Sequence, residues 1–443
     1  MESRDLVQLT LKEAKRLGAE DVGAIASNSN EDMIRFSNSS VTIVKSLRNT
    51  VLYVYIALEK KRILGETSNP TPEGITRFVE SLVKSCRATP ESEDYTPLPK
   101  GPFKYSLAPN YDKRIEDSPE LLVDLAGEAI ETSLEAGAKR VAGSLTAYVD
   151  ELTIATTGGV DASEKGTTIL LNTRAFTEAN ASGHGLSCAS SLADFDAKGA
   201  GRTAGEYAKR ALNPGSLPQG KYDVMMMPTV AAEMFQHVGW SASAFSVEAG
   251  YSFLADLIGK KVGVESLSIT DVGVAPHGLG GRSFDDEGVP TGKNAIIGKG
   301  ELMTYLHNTS TARKFSSKTT GSAGIIEPHP WNLEVAAGAF DINETIRSVK
   351  HGVLVTNTWY TRFQDPRAGA FSTVPRDASF LIENGEIRSP VAGIRISDTI
   401  PRQLNNIIAI SKERKWIRWW EVNLPTLSPA ILVKDVPITK AVS

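Results

Sequence analysis

Cysteine is scarce in this 443-residue chain. Only Cys86 and Cys188 are present, and they form no Cys-x-x-Cys pair. That rules out an all-cysteine zinc site within one chain and favours reduced thiols over a disulfide framework. Long apolar runs are missing as well; nothing approaches the roughly 20 residues that a membrane span needs. Neither sign of charge dominates. Lys plus Arg is 48 against 52 acidic residues, a formal net charge of −4. No general electrostatic reason to bind nucleic acid or an anionic membrane follows from that balance. The six histidines, His184, His237, His277, His307, His329 and His351, are scattered without metal-like pairing. The phosphate loop Gly-x-x-x-x-Gly-Lys-[Ser/Thr] and the nucleophile elbow Gly-x-Ser-x-Gly are absent. The polar start, Met1-Glu2-Ser3-Arg4-Asp5, reads as the beginning of an amphipathic helix rather than a signal peptide. The expected location is the cytoplasm.

What is present fits a soluble globular protein of two or three domains, with 41% hydrophobic and 23% charged residues. The expected class is α+β: N-terminal and central α/β units, then a β-rich, partly closed C-terminal domain that carries a helix. Residues 1–105 read as the first unit, in the order α-β-β-β-α. Leu6, Leu9, Leu11 and Ala14 suggest its first helix, and Thr71 and Pro72 an N-cap and first helical residue of its last. Five prolines in residues 90–112 read as a linker or extended crossing. Residues 106–219 form a central unit. There the pattern predicts a helix from Ser118-Pro119-Glu120, strands at Val141–Asp150, Glu151–Thr157 and Thr167–Ala179, and a helix near Ala200–Leu212. Residues 220–443 combine a helix over Thr229–Ser243, continuing towards Leu257, with many short strands and glycine-rich turns.

Several local motifs have ordinary explanations. Gly183-His184-Gly185 and Gly278-Leu279-Gly280-Gly281 read as turn glycines. Phe284-Asp285-Asp286-Glu287-Gly288 reads as a solvated turn. Arg414-Lys415-Trp416-Ile417-Arg418-Trp419-Trp420 mixes tryptophans with basic residues, and an aromatic core or a subunit interface is favoured over base stacking.

Longer strings resemble the TldD/PmbA (TldE) family, also called modulator of DNA gyrase. They are Arg35-Phe36-Ser37-Asn38-Ser39-Ser40-Val41, Gly137–Leu145, Phe284–Thr291, Thr311-Ala312-Arg313-Lys314, Thr320–Gly324, Ile382–Ile387 and Leu424-Pro425-Thr426-Leu427. Each is weak alone; their order and spacing carry the resemblance over nearly the whole length. The resemblance implies cytoplasmic peptidases acting on unfolded or extended peptides, built from two kinds of subunit. The TldD-like subunit holds zinc on His-Glu-x-x-x-His plus a late cysteine. The PmbA/TldE-like subunit lacks that site.

Matching through Gly250-Tyr251-Ser252-Phe253 without a gap places Phe235 and Trp240 at the two histidine positions and Gln236 at the glutamate. No cysteine follows Cys188. A catalytic zinc needs three ligands and an open position, and a glutamine cannot serve as a general base. The chain is therefore expected to hold no metal and no catalytic residue, with zinc in the partner. Phe235 and Trp240 are expected to fill the metal's space as hydrophobic packing, and Gly239 to allow a helix bulge or a close contact. His237, Glu233 and Glu248 remain as a residual or peptide-binding site. The expected partners are a TldD-like catalytic subunit and an extended peptide, with a homodimer possible. The alternatives are a self-associating peptide-binding scaffold, or a hydrolase using His237 with Glu233 or Glu248.

Overall fold

A stripe of Leu6, Val7, Leu11 and Ala14 makes α1 (Ser3–Arg16) amphipathic and buries one face of it. The computed structural model describes residues 2–106, 110–118, 120–178, 180–324 and 326–441. Three long strands follow: β1 (Asp21–Ser37), β2 (Ser40–Leu58) and β3 (Lys61–Ser68). Helix α2 (Pro72–Ala88) starts at Thr71, whose hydroxyl accepts the Gly74 amide, and buries Ile75, Val79, Leu82, Val83 and Cys86 against the strands. Both cysteines are buried and free.

Residues 90–106 form an extended strap, pinned by the Leu98 amide on the Asp21 carboxylate at 2.6 Å and by the Tyr105 hydroxyl on the Gly288 carbonyl at 2.8 Å. After the short α3 (Lys113–Asp117) comes α4 (Leu121–Glu135); Pro119, expected to open it, lies outside the described residues. The central unit then differs from expectation. Val141–Asp150 and Glu151–Thr157 are one strand, β4 (Arg140–Thr156). The polar pair Asp150-Glu151 resembles a turn in sequence, yet it faces Gly166 and Lys165 in the ladder, and the Ser29 hydroxyl donates to Asp150 at 2.5 Å. Strand β5 (Asp161–Glu178) pairs with an unexpected β6 (Ala181–Ala189), and α5 (Ala197–Arg210) covers them. Ala179, the expected strand end, is outside the described residues.

Gly183 and Gly185 are not turn residues. They lie in β6, where an added Cβ would sit 2.2 Å from the Ala204 carbonyl oxygen and 1.9 Å from that of Ala200. Only glycine lets α5 approach this closely.

The first two units share one antiparallel sheet, ordered β3-β2-β1-β4-β5-β6 and joined by the β1–β4 ladder. Helices cover one face. On the other, Ile25, Ile154, Val160 and Ala162 pack with Phe284 of the C-terminal unit. Strand β3 reaches along β2 only from Val51 to Leu58. Among the described residues, Ser40–Asn49 of β2 thus has one unpaired edge and is exposed along its length.

The C-terminal unit is β-rich, as expected. Strand β7 (Gly220–Met226) leads into α6 (Pro228–Ser241) and α7 (Ala244–Glu248). Then come β8 (Ile269–Val272), β9 (Lys293–Gly298), β10 (Glu301–Leu302), α8 (Thr309–Lys314), β11 (Leu333–Val335), α9 (Ile342–Ser348), β12 (His351–Val355) and β13 (Thr358–Asp365). The chain closes with β14 (Ala370–Pro375), β15 (Ser379–Glu383), β16 (Glu386–Val391), β17 (Ile394–Thr399), α10 (Ile400–Asn405), β18 (Ile407–Trp419) and β19 (Val422–Lys440). Strand β19 organises the sheet, pairing with β7, β11, β17 and β18. The largest core lies between this sheet and α6.

Asp285 is buried, against the expectation of a solvated turn. Its carboxylate accepts the amides of Glu287, Val289 and Ala323, so it ties two loops together. Burial, with Glu287 beside it, raises its pKa well above the carboxylate range. Among the described residues no helix is long and apolar enough to cross a membrane.

Candidate functional site

The helix that carries residues 235–240 is α6, and it is central rather than peripheral. Pro228 opens it, where a missing N–H costs nothing. Val230, Ala231, Ala232, Glu233, Met234, Phe235, Gln236, Val238 and Gly239 are all buried. It does not continue to Leu257. The Ala244 amide turns to the Leu306 carbonyl, and α7 stops before Gly250, whose φ is +76°. No bulge occurs at Gly239. A Cβ there would meet Leu333 and Leu424 side chains at 2.9 Å, so this glycine serves a close helix-to-strand contact.

Phe235 is fully buried in the main core, as its chemistry dictates. Trp240 is not core packing: 38% of it is exposed. Residues five apart on a regular helix point about 140° apart. With Phe235 facing inward, Trp240 falls towards solvent.

Gln236 is held by a hairpin end distant in sequence. Its Nε2 donates to the Glu421 carbonyl at 2.5 Å, and its Oε1 accepts the Asn423 amide at 3.1 Å. This donor–acceptor pair suits an amide; an ionised glutamate could not donate to the carbonyl. His237 is wedged between rings, 4.2 Å from Phe363 and 5.0 Å from Trp240. Burial alone pushes its pKa down to about 3, so the imidazole is neutral.

Glu233 is fully buried and hydrogen-bonded to the Thr358 hydroxyl of β13. Burial is the main cause that pushes its pKa up to about 8, outweighing the threonine hydrogen bonds. It is a neutral carboxylic acid at pH 7. Glu248 is elsewhere, at the end of α7, paired with Lys314. Glu233 bonds to β13, Glu248 to α8, and His237 stacks on rings, so the three do not form one catalytic group.

The sequence reading missed β13. Trp359 and Tyr360 of this strand pack with Trp419 and Trp420, ring centroids 4.9–6.1 Å apart. The Trp419-Trp420 pair was visible as a motif, and it is split: Trp419 is buried and stacks on His184 at 4.7 Å, whereas Trp420 is 44% exposed. The Tyr360 amide donates to Glu421 at 2.5 Å, and Tyr360 adopts φ +58° at an irregularity in the β13–β14 ladder.

These residues do not fit a catalytic zinc. Phe235 offers no lone pair, the Trp240 indole N–H is donor only, and both polar atoms of Gln236 are engaged. Among the described residues, no three His, Cys, Asp or Glu side chains are grouped so that they could hold a metal ion. His184, His307, His277 and His351 make separate contacts to Asn172, Thr311, Asp194 and Tyr222.

Comparison with known proteins gives the chain its relatives. Residues 219–440 match the model of the PmbA/TldA metallopeptidase C-terminal domain, and residues 108–212 match that of the central domain. Metalloprotease PmbA of Escherichia coli O157:H7 is 30% identical over 227 residues, covering 49% of this chain and 48% of that protein. A metalloprotease of Methanocaldococcus jannaschii is 30% identical over 213 residues, 46% of this chain and 47% of that one. In sequence, the chain spans about half the length of these curated relatives. Solved structures extend the likeness in fold. A Thermotoga maritima protein described as a modulator of a DNA gyrase superposes with a TM-score of 0.86 at 25% identity, covering 98% of this chain and 99% of that one. TldE from Thermococcus kodakarensis gives 0.87 at 18% identity, covering 98% and 100%. The two family domains, together spanning most of the chain and set on this shared architecture, establish that it belongs to the PmbA/TldD family.

Proposed function

We propose that this chain is the non-catalytic, PmbA/TldE-like subunit of a cytoplasmic TldD/TldE-type peptidase acting on unfolded or extended peptides. The observation that carries this reading is the state of α6. The positions assigned to metal ligands and base hold a core phenylalanine, a half-exposed tryptophan and a glutamine locked onto the 421–423 hairpin end. Such a helix is a wall, and zinc and the general base would come from a TldD-like partner. A role in holding extended peptide is supported by the free Ser40–Asn49 edge of β2, where unpaired backbone groups can accept an added strand.

Light scattering on the chain mixed with a TldD-like subunit from the same organism tests the pairing. A complex containing both chains is expected. A homodimer that ignores the other chain would instead favour the self-associating scaffold.

A further inference from the structure

Four aromatic residues and two arginines meet beside α6. Tyr360 is 48% and Trp420 44% exposed, and Trp359 and Trp419 support them from below. Arg376 lies over two of these rings, its Cζ 5.1 Å from the Trp359 centroid and 5.7 Å from that of Tyr360. Arg362 lies over Tyr360 at 5.7 Å.

The two guanidiniums are engaged differently: Arg362 donates Nη1 to the Thr361 carbonyl at 2.8 Å and its charge acts on Glu233 and Glu421, whereas Arg376 makes no hydrogen bond or ion pair among the described residues. Among the described residues neither has a carboxylate oxygen within 4.0 Å. Arg174, over the same Trp359 ring at 4.8 Å, makes a useful contrast, because Asp377 holds it at 2.6 Å. The nearby Glu421 is committed inward, accepting the Tyr360 amide, and Glu233 beneath is bonded to Thr358. The Trp359 indole N–H has no acceptor among the described residues.

The backbone maintains this display. Tyr360 sits at φ +58°, an unfavourable conformation for a bulky residue, which persists only when its surroundings impose it. The Glu421 side chain holds its amide, and Gln236 holds the hairpin end that carries Glu421. The patch is therefore fixed to the same helix that bears the substituted motif.

A guanidinium stacked on an aromatic face keeps its N–H fork free and pre-oriented for a carboxylate. We propose that Arg376, with Arg362 beside it on the Trp359-Tyr360-Trp420 wall, binds acidic side chains of an extended peptide and gives the subunit a preference for acidic segments. This rests on the peptide-handling role proposed above. It commits to peptide over nucleic acid, because a nucleic-acid groove needs a run of cations tracking the phosphate backbone, and this patch offers two arginines.

The test uses the isolated chain in the presence of a chelator, so it does not depend on any partner's activity. Tryptophan fluorescence is titrated with two eight-residue peptides that differ only in having glutamate or glutamine at two central positions. The glutamate peptide is expected to bind roughly tenfold more tightly, the size of effect that one charged hydrogen bond supplies. Arg376→Gln should erase that ratio, and Trp420→Ala should weaken both peptides. Both side chains are exposed, so both variants should retain the wild-type circular dichroism. Equal affinity for the two peptides, no binding of either, or tighter binding of an eight-nucleotide oligothymidine would overturn the proposal. None of those outcomes touches the subunit assignment, which is read from complex formation and activity with a partner.

Discussion

Gln236 shows how one residue type can be fixed by its partners. Its amide donates to one backbone group and accepts from another. Gln236→Glu would place a carboxylate oxygen against the Glu421 carbonyl, at a cost of about 1–3 kcal/mol for the lost bond and the buried charge. Such a carboxyl would have a folded-state pKa above its unfolded value of about 4.3. The penalty should therefore be full at high pH, shrink as pH falls towards about 4.3 and be absent below it, as read from urea unfolding at about pH 8 and about pH 4. Glu233 carries a related pH signature in the wild type. Its folded pKa is raised to about 8 by burial, so the native state holds a proton that the unfolded chain has lost above about 4.3. Its contribution to stability is full below about pH 4.3 and declines as pH rises towards 8. Glu233→Gln should flatten that part of the profile relative to wild type; unchanged curvature would show that Glu233 is ionised in the fold. The sequence placed Phe235, Gln236 and Trp240 on one helix. It could not place their partners: Glu421 is 185 residues from Gln236, and Thr358 is 125 from Glu233.

Elements with strong local signals were legible, and those fixed by distant contacts were not. Thr71-Pro72 marked α2 because a cap and a first-turn proline act within one turn. The Asp150-Glu151 pair concealed β4, since its polar side chains are satisfied by Ser29 and by a place in the ladder that no local pattern encodes. Gly183 and Gly185 were misread for a similar reason, because the helix that needs them packs from above. That packing gives a contrast between two glycines. Gly185→Ala should lower stability by at least about 1–3 kcal/mol, because its Cβ would overlap the Ala200 carbonyl. Gly127 lies inside α4, with nothing within 4 Å of an added Cβ. Gly127→Ala should raise stability by roughly 0.5–1 kcal/mol. Urea midpoints of the two variants moving in opposite directions would bear this out; equal shifts would contradict the close approach of α5.

On the scale of the whole molecule, the three units are interlocked by structure rather than strung on linkers. The first two share a six-stranded sheet, whose uncovered face meets Phe284 and whose free edge lies at Ser40–Asn49 of β2. The third wraps a β-rich sheet around β19 and α6. On the proposed function α6 is a structural wall, with the aromatic–arginine patch fixed beside it. Cleavage of an unfolded peptide is the most direct test of that role, assayed with the chain alone, with a TldD-like subunit alone and with both, each with and without a chelator. The account predicts no cleavage by the chain alone and chelator-sensitive cleavage in the mixture beyond that of the TldD-like subunit by itself. Chelator-sensitive cleavage by the chain alone would contradict it.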